Sequence, residues 1–190
     1  MQKGINILNN IISLGLIALT FLVPLFFLPL TSDFYEFNKN ILLFVVSCLL
    51  LVAWVGKMIL SKRVSFRITR FDLPVLLLAI SYSLSTIIVA PNKIENLLAS
   101  GGTGTILALT LLYFIATNNL ATATVKHLTN ALVFSGVVLA LIAIFQFIGL
   151  GASLSPVAWM KPKFFSPAGN LLTLATFLTV VFSLSASQIY

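Results

Sequence analysis

The stretch Lys57-Met-Ile-Leu-Ser-Lys-Arg-Val-Ser-Phe-Arg-Ile-Thr-Arg-Phe-Asp72 decides how this chain is organised. Five of the eleven lysines and arginines lie within it, and long apolar runs flank it on both sides. Because positive charge in a short loop resists transfer across a membrane, this pattern predicts a cytoplasmic loop between two membrane spans. The alternative is a basic patch for nucleic acid, which is disfavoured because no water-soluble domain surrounds the stretch.

The composition of the chain indicates that lipid, rather than water, is its main solvent. Of the 190 residues, 59% are hydrophobic and only 8% are charged, whereas a soluble domain carries about 25% charged residues. The net charge of +7 therefore concerns orientation in the membrane and attraction to anionic headgroups. Cys48 is the only cysteine, so an intrachain disulfide is impossible.

Apolar runs along the chain approach the length of about 20 residues that a helix needs to cross a bilayer. They are too long for strands and do not alternate, so they predict an all-α, polytopic transmembrane helical bundle in a single domain, residues 1–190. The polar segment between the third and fourth runs predicts a turn with a short helix. The six predicted spans are residues 11–30, 41–60, 73–90, 103–120, 128–150 and 171–189.

The loop charges predict the orientation of these spans. With the Lys57–Asp72 loop inside, seven lysines and arginines lie on the cytoplasmic side. The outer side then carries four basic residues, which are Lys39, Lys93, Lys161 and Lys163. Since the excess of basic residues marks the cytoplasmic side, both termini are predicted to be cytoplasmic.

Catalytic and metal-binding patterns are scarce in the sequence. His127 is the only histidine and lies on the predicted inner side, where an interfacial position explains it. One histidine and one cysteine are too few for a zinc site, so no metal or cofactor is expected. The four carboxylates fall in predicted loops, which leaves no acidic proton relay within a span.

Two polar stretches on the predicted outer side each allow two interpretations. The glycines of Gly101-Gly-Thr-Gly-Thr105 permit close helix packing, which is favoured over phosphate binding at a helix start. The segment Met160–Asn170 contains Lys161 and Lys163 before a Gly-Asn step. These lysines either anchor the chain in the interface or hold an anionic lipid diphosphate, and charge alone favours anchoring.

The segment Phe165-Ser-Pro-Ala-Gly-Asn-Leu-Leu-Thr-Leu-Ala175 resembles the outer loop and following helix of the O-antigen ligase and O-antigen polymerase family of bacterial membrane proteins. The opening Phe21–Lys39 is also similar, as are Trp54-Val-Gly-Lys57 before a basic loop and the Asn92-Lys93 turn before a glycine-rich helix start. The resemblance covers most of the chain as a rhythm of hydropathy.

The resemblance implies glycan transfer from an undecaprenyl diphosphate carrier at the outer face of the bacterial cytoplasmic (inner) membrane. In that family basic residues hold the diphosphate, an external histidine is the base, and no nucleotide is used. It implies substrate binding by Lys161, Lys163 and Asn170, with Lys93 and Asn92 as a second external cluster. The implied partners are the lipid bilayer and the undecaprenyl-diphosphate-linked glycan, with no nucleic acid.

The chain also departs from that family. External arginines are absent, and His127 lies on the predicted inner side, so no catalytic residue is assigned. The expectation is therefore the N-terminal half of such an enzyme, inactive by itself. Two alternatives stay open: half of a transporter or lipid flippase, using Asn130, Gln146 and the Ser81–Ser85 face, and a non-catalytic membrane scaffold.

Overall fold

A computed structural model describes residues 2–28, 35–63, 66–149 and 166–188. Within these ranges all regular secondary structure is α-helical, which confirms the all-α part of the prediction. The helices, numbered here in chain order, are α1 (Gln2–Leu25), α2 (Glu36–Ser61), α3 (Asp72–Ile88), α4 (Lys93–Leu98), α5 (Thr103–Asn119), α6 (Thr122–Phe147) and α7 (Leu171–Ser187).

In the part of the chain that the structure describes, three helices are long and apolar enough to cross a membrane, namely α1, α2 and α6. They contain 24, 26 and 26 residues. The helices α3 and α7 are apolar but have 17 residues each, which corresponds to about 26 Å of helix against a hydrocarbon core of about 30 Å. The predicted count of six spans and the cytoplasmic position of both termini stay predictions.

The helix bounds differ from the predicted spans mainly at the polar ends. The helix α1 begins at Gln2 rather than residue 11, and α6 begins at Thr122 rather than residue 128. Helical hydrogen bonding propagates cheaply beyond an apolar run once the helix exists. Pro24 lies in the last turn of α1, where it is expected to loosen the helix end, and α4 is the predicted short helix.

The chain forms two compact units. Unit 1 contains Met1–Leu19 and Asn40–Val125, and unit 2 contains Thr20–Lys39 and Lys126–Tyr190. In unit 1 the helices α3, α4 and α5 pack against one another. A Cβ atom on Gly102 would collide with the Asn96 carbonyl oxygen, and one on Gly104 would collide with that of Leu97. The packing interpretation is therefore confirmed for Gly102 and Gly104, whereas a Cβ atom on Gly101 would meet nothing and the φ of +69° explains a glycine there.

A buried polar contact joins α3 to the start of α5 in unit 1. The hydroxyls of Thr86 and Thr103 share a hydrogen bond, and Thr103 Oγ1 also lies 3.3 Å from the Tyr82 carbonyl oxygen. Both threonines are buried. Such contacts are a common way to hold apolar helices together, because a hydroxyl in hydrocarbon needs a partner.

Unit 2 packs α7 against α6 and the end of α1. Its core contains the buried side chains of Leu139, Ala168 and Leu174. Gly136 allows close approach, since a Cβ atom there would lie 2.6 Å from Val181 Cγ1. The core therefore includes Ala168, which precedes α7, and this residue belongs to the motif that carries the family resemblance.

Candidate functional site

Residues 166–170 form a compact turn at the start of α7 in unit 2, called here the Ser166–Asn170 turn. Ser166 is only 2% exposed, and its Oγ accepts a hydrogen bond from the Ala168 N–H at 3.2 Å. The Gly169 N–H donates to the Ser166 carbonyl oxygen at 3.0 Å. Gly169 has φ of +113°, a conformation that residues other than glycine rarely adopt. The turn therefore has a defined backbone conformation, which these hydrogen bonds and Gly169 hold in place.

Lys39, on the first turn of α2, reaches this turn from a distant part of the chain. Its Nζ donates to the Pro167 carbonyl oxygen at 2.8 Å, and its side chain is partly buried. An ammonium group has three N–H donors, so this bond leaves two for a ligand or water. Glu36, one turn earlier on α2, offsets part of the positive charge.

Two neighbours of Lys39 help to hold it in place. Asn38 is buried and its Nδ2 donates to the Leu28 carbonyl oxygen at 3.1 Å, which ties α2 to the end of the preceding segment. The Tyr35 side chain lies close to Gly169, because a Cβ atom added to that glycine would be 3.7 Å from Tyr35 Cβ. Burial raises the pKa of the Tyr35 phenol, so this neighbour stays neutral.

Asn170 and Asn92, two of the predicted binding residues, both cap a helix. The Oδ1 atom of Asn170 accepts from the Thr173 N–H at 2.7 Å and from Thr173 Oγ1 at 2.9 Å. Asn92 Oδ1 accepts from the Glu95 N–H at 3.2 Å. A capping role explains an asparagine at each position. Their role in substrate binding stays a prediction, with only the amide N–H groups left to serve it.

The other predicted binding residues are placed as follows. Lys93 follows Asn92 and is exposed on the first turn of α4. A neighbouring depression in unit 1 is lined in part by Asn92 and Glu95, and the Glu95 carboxylate makes it unfavourable for an anion. Lys161 and Lys163 lie outside the described residues.

Sequence reasoning placed Lys39 on the outer side but did not include it in a binding site. Its contact with Pro167 spans 128 positions of the chain. No spacing rule for helices or turns reaches across such a distance. The only available signal was that Lys39 and the Ser166–Asn170 turn both belong to segments that resemble the same family.

A second polar network holds the basic stretch in unit 1, and we call it the basic-loop clamp (Lys57, Thr69, Asp72, Tyr113, Asn118 and Asn119). Asp72 accepts from the Thr69 N–H at 2.8 Å, from the Thr69 hydroxyl at 2.5 Å and from the Tyr113 hydroxyl at 2.9 Å. These hydrogen bonds, mainly those from Thr69, lower the pKa of the Asp72 carboxyl.

The end of α5 supplies the other side of this clamp. Asn119 Oδ1 accepts from Lys57 Nζ at 2.8 Å, and Asn118 Oδ1 accepts from the Arg67 N–H at 2.7 Å. The basic loop and the loop that follows α5 therefore lie at the same end of unit 1. The alternation of predicted spans requires this arrangement, because both loops are predicted to be cytoplasmic.

The residues named for the transporter alternative are placed separately in the two units, and that alternative stays a prediction. The Ser83 hydroxyl donates to the Ala79 carbonyl oxygen of its own helix at 2.7 Å. Asn130 Oδ1 lies 3.4 Å from Gln188 Nε2. Gln146 is buried, and its Oε1 has no hydrogen-bond partner within the described ranges. Among the described residues no group of three or more His, Cys, Asp or Glu side chains could hold a metal ion.

No protein-family model matches the chain, and neither a curated protein nor a solved structure shows significant similarity to it. The composition and the described helices by themselves define the class of this protein, which is a helical protein with helices suited to a membrane.

Proposed function

We propose that this chain forms the N-terminal membrane part of an O-antigen ligase-like glycan transferase. In this role it binds an undecaprenyl-diphosphate-linked oligosaccharide at the outer face of the bacterial cytoplasmic membrane. The observation that supports the proposal is the contact of the Lys39 ammonium with the Pro167 carbonyl. This contact holds a cation against the Ser166–Asn170 turn, which lies in the segment that resembles the O-antigen ligase and polymerase family.

The chemistry of Lys39 suits a diphosphate. A lysine binds phosphate as a point charge, and partial burial strengthens its attraction to an anion because water screens it less. Fixing the ammonium on a backbone carbonyl reduces the freedom that binding would otherwise remove. The same charge would favour departure of the diphosphate during glycan transfer, since negative charge develops on the leaving group.

Donor binding, and not proton transfer, is the role proposed for these residues. His127 is the only histidine of the chain and lies on the predicted cytoplasmic side. The Tyr35 phenol near Lys39 has a raised pKa, so it stays protonated at neutral pH and cannot accept a proton. Lys161 and Lys163 would add positive charge near the same diphosphate in this proposal.

Direct binding to the purified protein in lipid nanodiscs tests the proposal. Undecaprenyl diphosphate is compared with undecaprenol, which has the same chain but no phosphate. We expect Lys39→Met to weaken binding of the diphosphate about tenfold or more, because a hydrogen bond to a charged group is lost. Binding of undecaprenol should not change.

Lys93→Met is the comparison variant, because this exposed lysine is also on the predicted outer side and belongs to the second predicted cluster. It should weaken diphosphate binding by less than about threefold, as expected for an exposed charge. Equal binding of undecaprenyl diphosphate by the wild type and Lys39→Met would contradict the role given to Lys39. Equal affinity of the wild type for the two lipids would contradict recognition of the diphosphate.

A further inference from the structure

The basic stretch contains a short non-helical segment, Phe66-Arg-Ile-Thr-Arg-Phe71, called here the 66–71 loop. Its three large apolar residues are exposed, by 59% for Phe66, 92% for Ile68 and 69% for Phe71. The Phe66 ring packs edge-on against the buried Trp54 ring, with the centroids 5.5 Å apart. Ile68 is the most exposed large apolar residue among the described residues. The loop therefore combines its cations with apolar surface, which an effect of charge on orientation does not explain.

Hydrogen bonds on both sides of Ile68 fix the backbone of the loop. The Arg67 N–H donates to Asn118 Oδ1 at 2.7 Å. The Thr69 N–H donates to the Asp72 carboxylate at 2.8 Å. The exposed position of Ile68 thus belongs to a defined loop conformation, and a ligand that binds there has less conformational freedom to remove.

The cations of this region have no anionic partner in the part of the chain that the structure describes. The side chains of Arg63, Arg67 and Arg70 are exposed and form no hydrogen bond or ion pair with the described residues. Arg67 also repels the Lys57 ammonium. Asp72 is the only carboxylate of the basic stretch, and the hydrogen bonds of the basic-loop clamp occupy it. An anion bound beside Arg67 would therefore offset a repulsion that the protein leaves in place.

The position of the loop in the chain indicates what surrounds it. The loop follows α2, which is long and apolar enough to cross a membrane, and leads directly into the apolar helix α3. Exposed apolar residues continue from Phe71 into the first turns of α3, at Leu73 and Leu76. A short connection between two such helices lies at the level of the lipid headgroups, where apolar side chains reach the acyl chains and cations reach the phosphates.

The chemistry of the loop fits an anionic glycerophospholipid. A guanidinium binds a phosphate through paired N–H donors, and a lipid with net negative charge gains more from a cation cluster than a zwitterionic lipid does. A nucleic acid would match the cations but not the aliphatic Ile68, because single-stranded bases stack on aromatic side chains. A lipid accounts for both the charge and the apolar surface.

We propose that the 66–71 loop is a docking surface for anionic glycerophospholipid in the leaflet that it contacts, which is the cytoplasmic one in the predicted orientation. Ile68 inserts between the lipids, and Arg67 and Arg70 bind the headgroup phosphates. Membrane orientation depends on the number of cations in the loop, whereas this surface depends on two particular arginines beside an exposed isoleucine. The inference goes beyond the proposed glycan transfer and does not rest on it.

Fluorescence quenching of the full chain in lipid nanodiscs tests this surface. Ile68→Trp places a reporter at the exposed position, and the signal of the wild type is subtracted as background. Two kinds of nanodisc contain phosphatidylglycerol and phosphatidylcholine in equal parts and differ only in which of the two lipids is brominated. We expect brominated phosphatidylglycerol to quench the reporter about twofold more than brominated phosphatidylcholine, because the arginines concentrate anionic lipid around the loop.

Two double variants in the Ile68→Trp chain separate the arginines of the loop from general attraction by positive charge. Arg67→Gln with Arg70→Gln should make the two lipids quench equally. Lys3→Gln with Lys126→Gln removes the same charge from exposed lysines on the same predicted side, and it should keep the preference. Thermal unfolding verifies that each variant is folded. Salt at about 1 M should weaken the preference through screening, and this measurement needs no arginine variant.

Several results would overturn the proposal. Equal quenching by the two lipids in the reporter chain would remove the selection of anionic lipid, and no quenching by either would remove the insertion of position 68. A preference that persists in the folded arginine variant would exclude the role of Arg67 and Arg70. Protection of the reporter from aqueous iodide by an oligonucleotide, without quenching by lipid, would assign the loop to nucleic acid. Because the nanodiscs contain no undecaprenyl lipid, these failures are distinguishable from failure of the glycan-transfer proposal.

Discussion

Lys39 and Lys57 lie near opposite ends of α2 and form hydrogen bonds of the same length, yet their surroundings differ. Lys39 Nζ donates to the backbone carbonyl of Pro167, and Lys57 Nζ donates to the side chain of Asn119, each at 2.8 Å. Lys57 belongs to a cluster of cations and is repelled by Arg67. Lys39 lies one helical turn from the Glu36 carboxylate, and its partner Pro167 belongs to the turn that precedes α7.

The difference between these lysines matches two separate roles, which are membrane orientation for the cluster around Lys57 and the proposed binding of a diphosphate for Lys39. Clustered cations next to apolar runs are explained by their effect on membrane topology, and no single member of the cluster is essential for that effect. A single lysine that a folded turn holds in one place has no such explanation. We therefore expect a large effect on membrane orientation when the whole cluster at one end of α2 is removed. At the other end of α2, we expect removal of Lys39 alone to have a large effect on diphosphate binding.

Removing the charge of the whole basic stretch should produce the largest effect on the molecule. We expect replacement of its five lysines and arginines by glutamine to invert many of the molecules, because the four outer lysines then outnumber the two remaining inner cations. Reporter fusions at the C-terminus measure the orientation. An unchanged orientation would contradict the positive-inside interpretation, and Asn118→Ala with Asn119→Ala is the control that loosens the clamp without removing charge.

Lowering the pH should release the basic-loop clamp at Asp72. Its carboxyl has a lowered pKa in the folded protein, so the stabilisation is present above the ordinary pKa of about 3.9 and is lost as pH falls through the lowered value. The protection of the amides of residues 66–72, measured as the exchange rate relative to the intrinsic rate at each pH, should fall below about pH 4 in the wild type. Asp72→Asn should show weak protection at every pH, with little change across this range.

Two milder variants test which partner of Asp72 matters more. Thr69 provides the larger influence on the carboxyl and Tyr113 the smaller. Thr69→Val should therefore reduce the pH-dependent change in exchange more than Tyr113→Phe does. The reverse order would contradict the described hydrogen-bond geometry.

Removing Lys57 alone should produce the smallest effect. Lys57→Met loses one hydrogen bond from an ammonium to Asn119, worth about 1 kcal/mol because water screens this largely exposed group, and four cations of the basic stretch remain. We expect a slight decrease in thermal stability and an unchanged orientation in the reporter assay. Binding of undecaprenyl diphosphate should also be unchanged, in contrast to the loss expected for Lys39→Met. A loss of binding in both variants would remove the distinction between the two ends of α2.

Sequence patterns predicted the helices well because the relevant forces are local. The apolar runs of α1, α2 and α6 are long enough to require helical hydrogen bonding in lipid. The glycines before α5 were interpreted as packing residues, and the carbonyl oxygens of Asn96 and Leu97 lie where their side chains would have to be. The helix ends were less accurate, since hydrogen bonding continues into polar residues.

The candidate site was only partly predictable. Asn170 was found because its motif is contiguous, but its contacts with Thr173 show a cap. Lys39 was not found as a site residue, since its partner Pro167 lies far along the chain.

The sequence by itself determined that this protein is helical, that its long helices suit a membrane, and which loops carry the positive charge. These properties follow from the number and order of apolar and basic residues, which act on their immediate surroundings. Only the tertiary structure decided that Lys39 meets the Ser166–Asn170 turn and that Thr86 of α3 meets Thr103 of α5. Both depend on which distant segments pack together, because a hydrogen bond forms only when its two atoms come within about 3 Å.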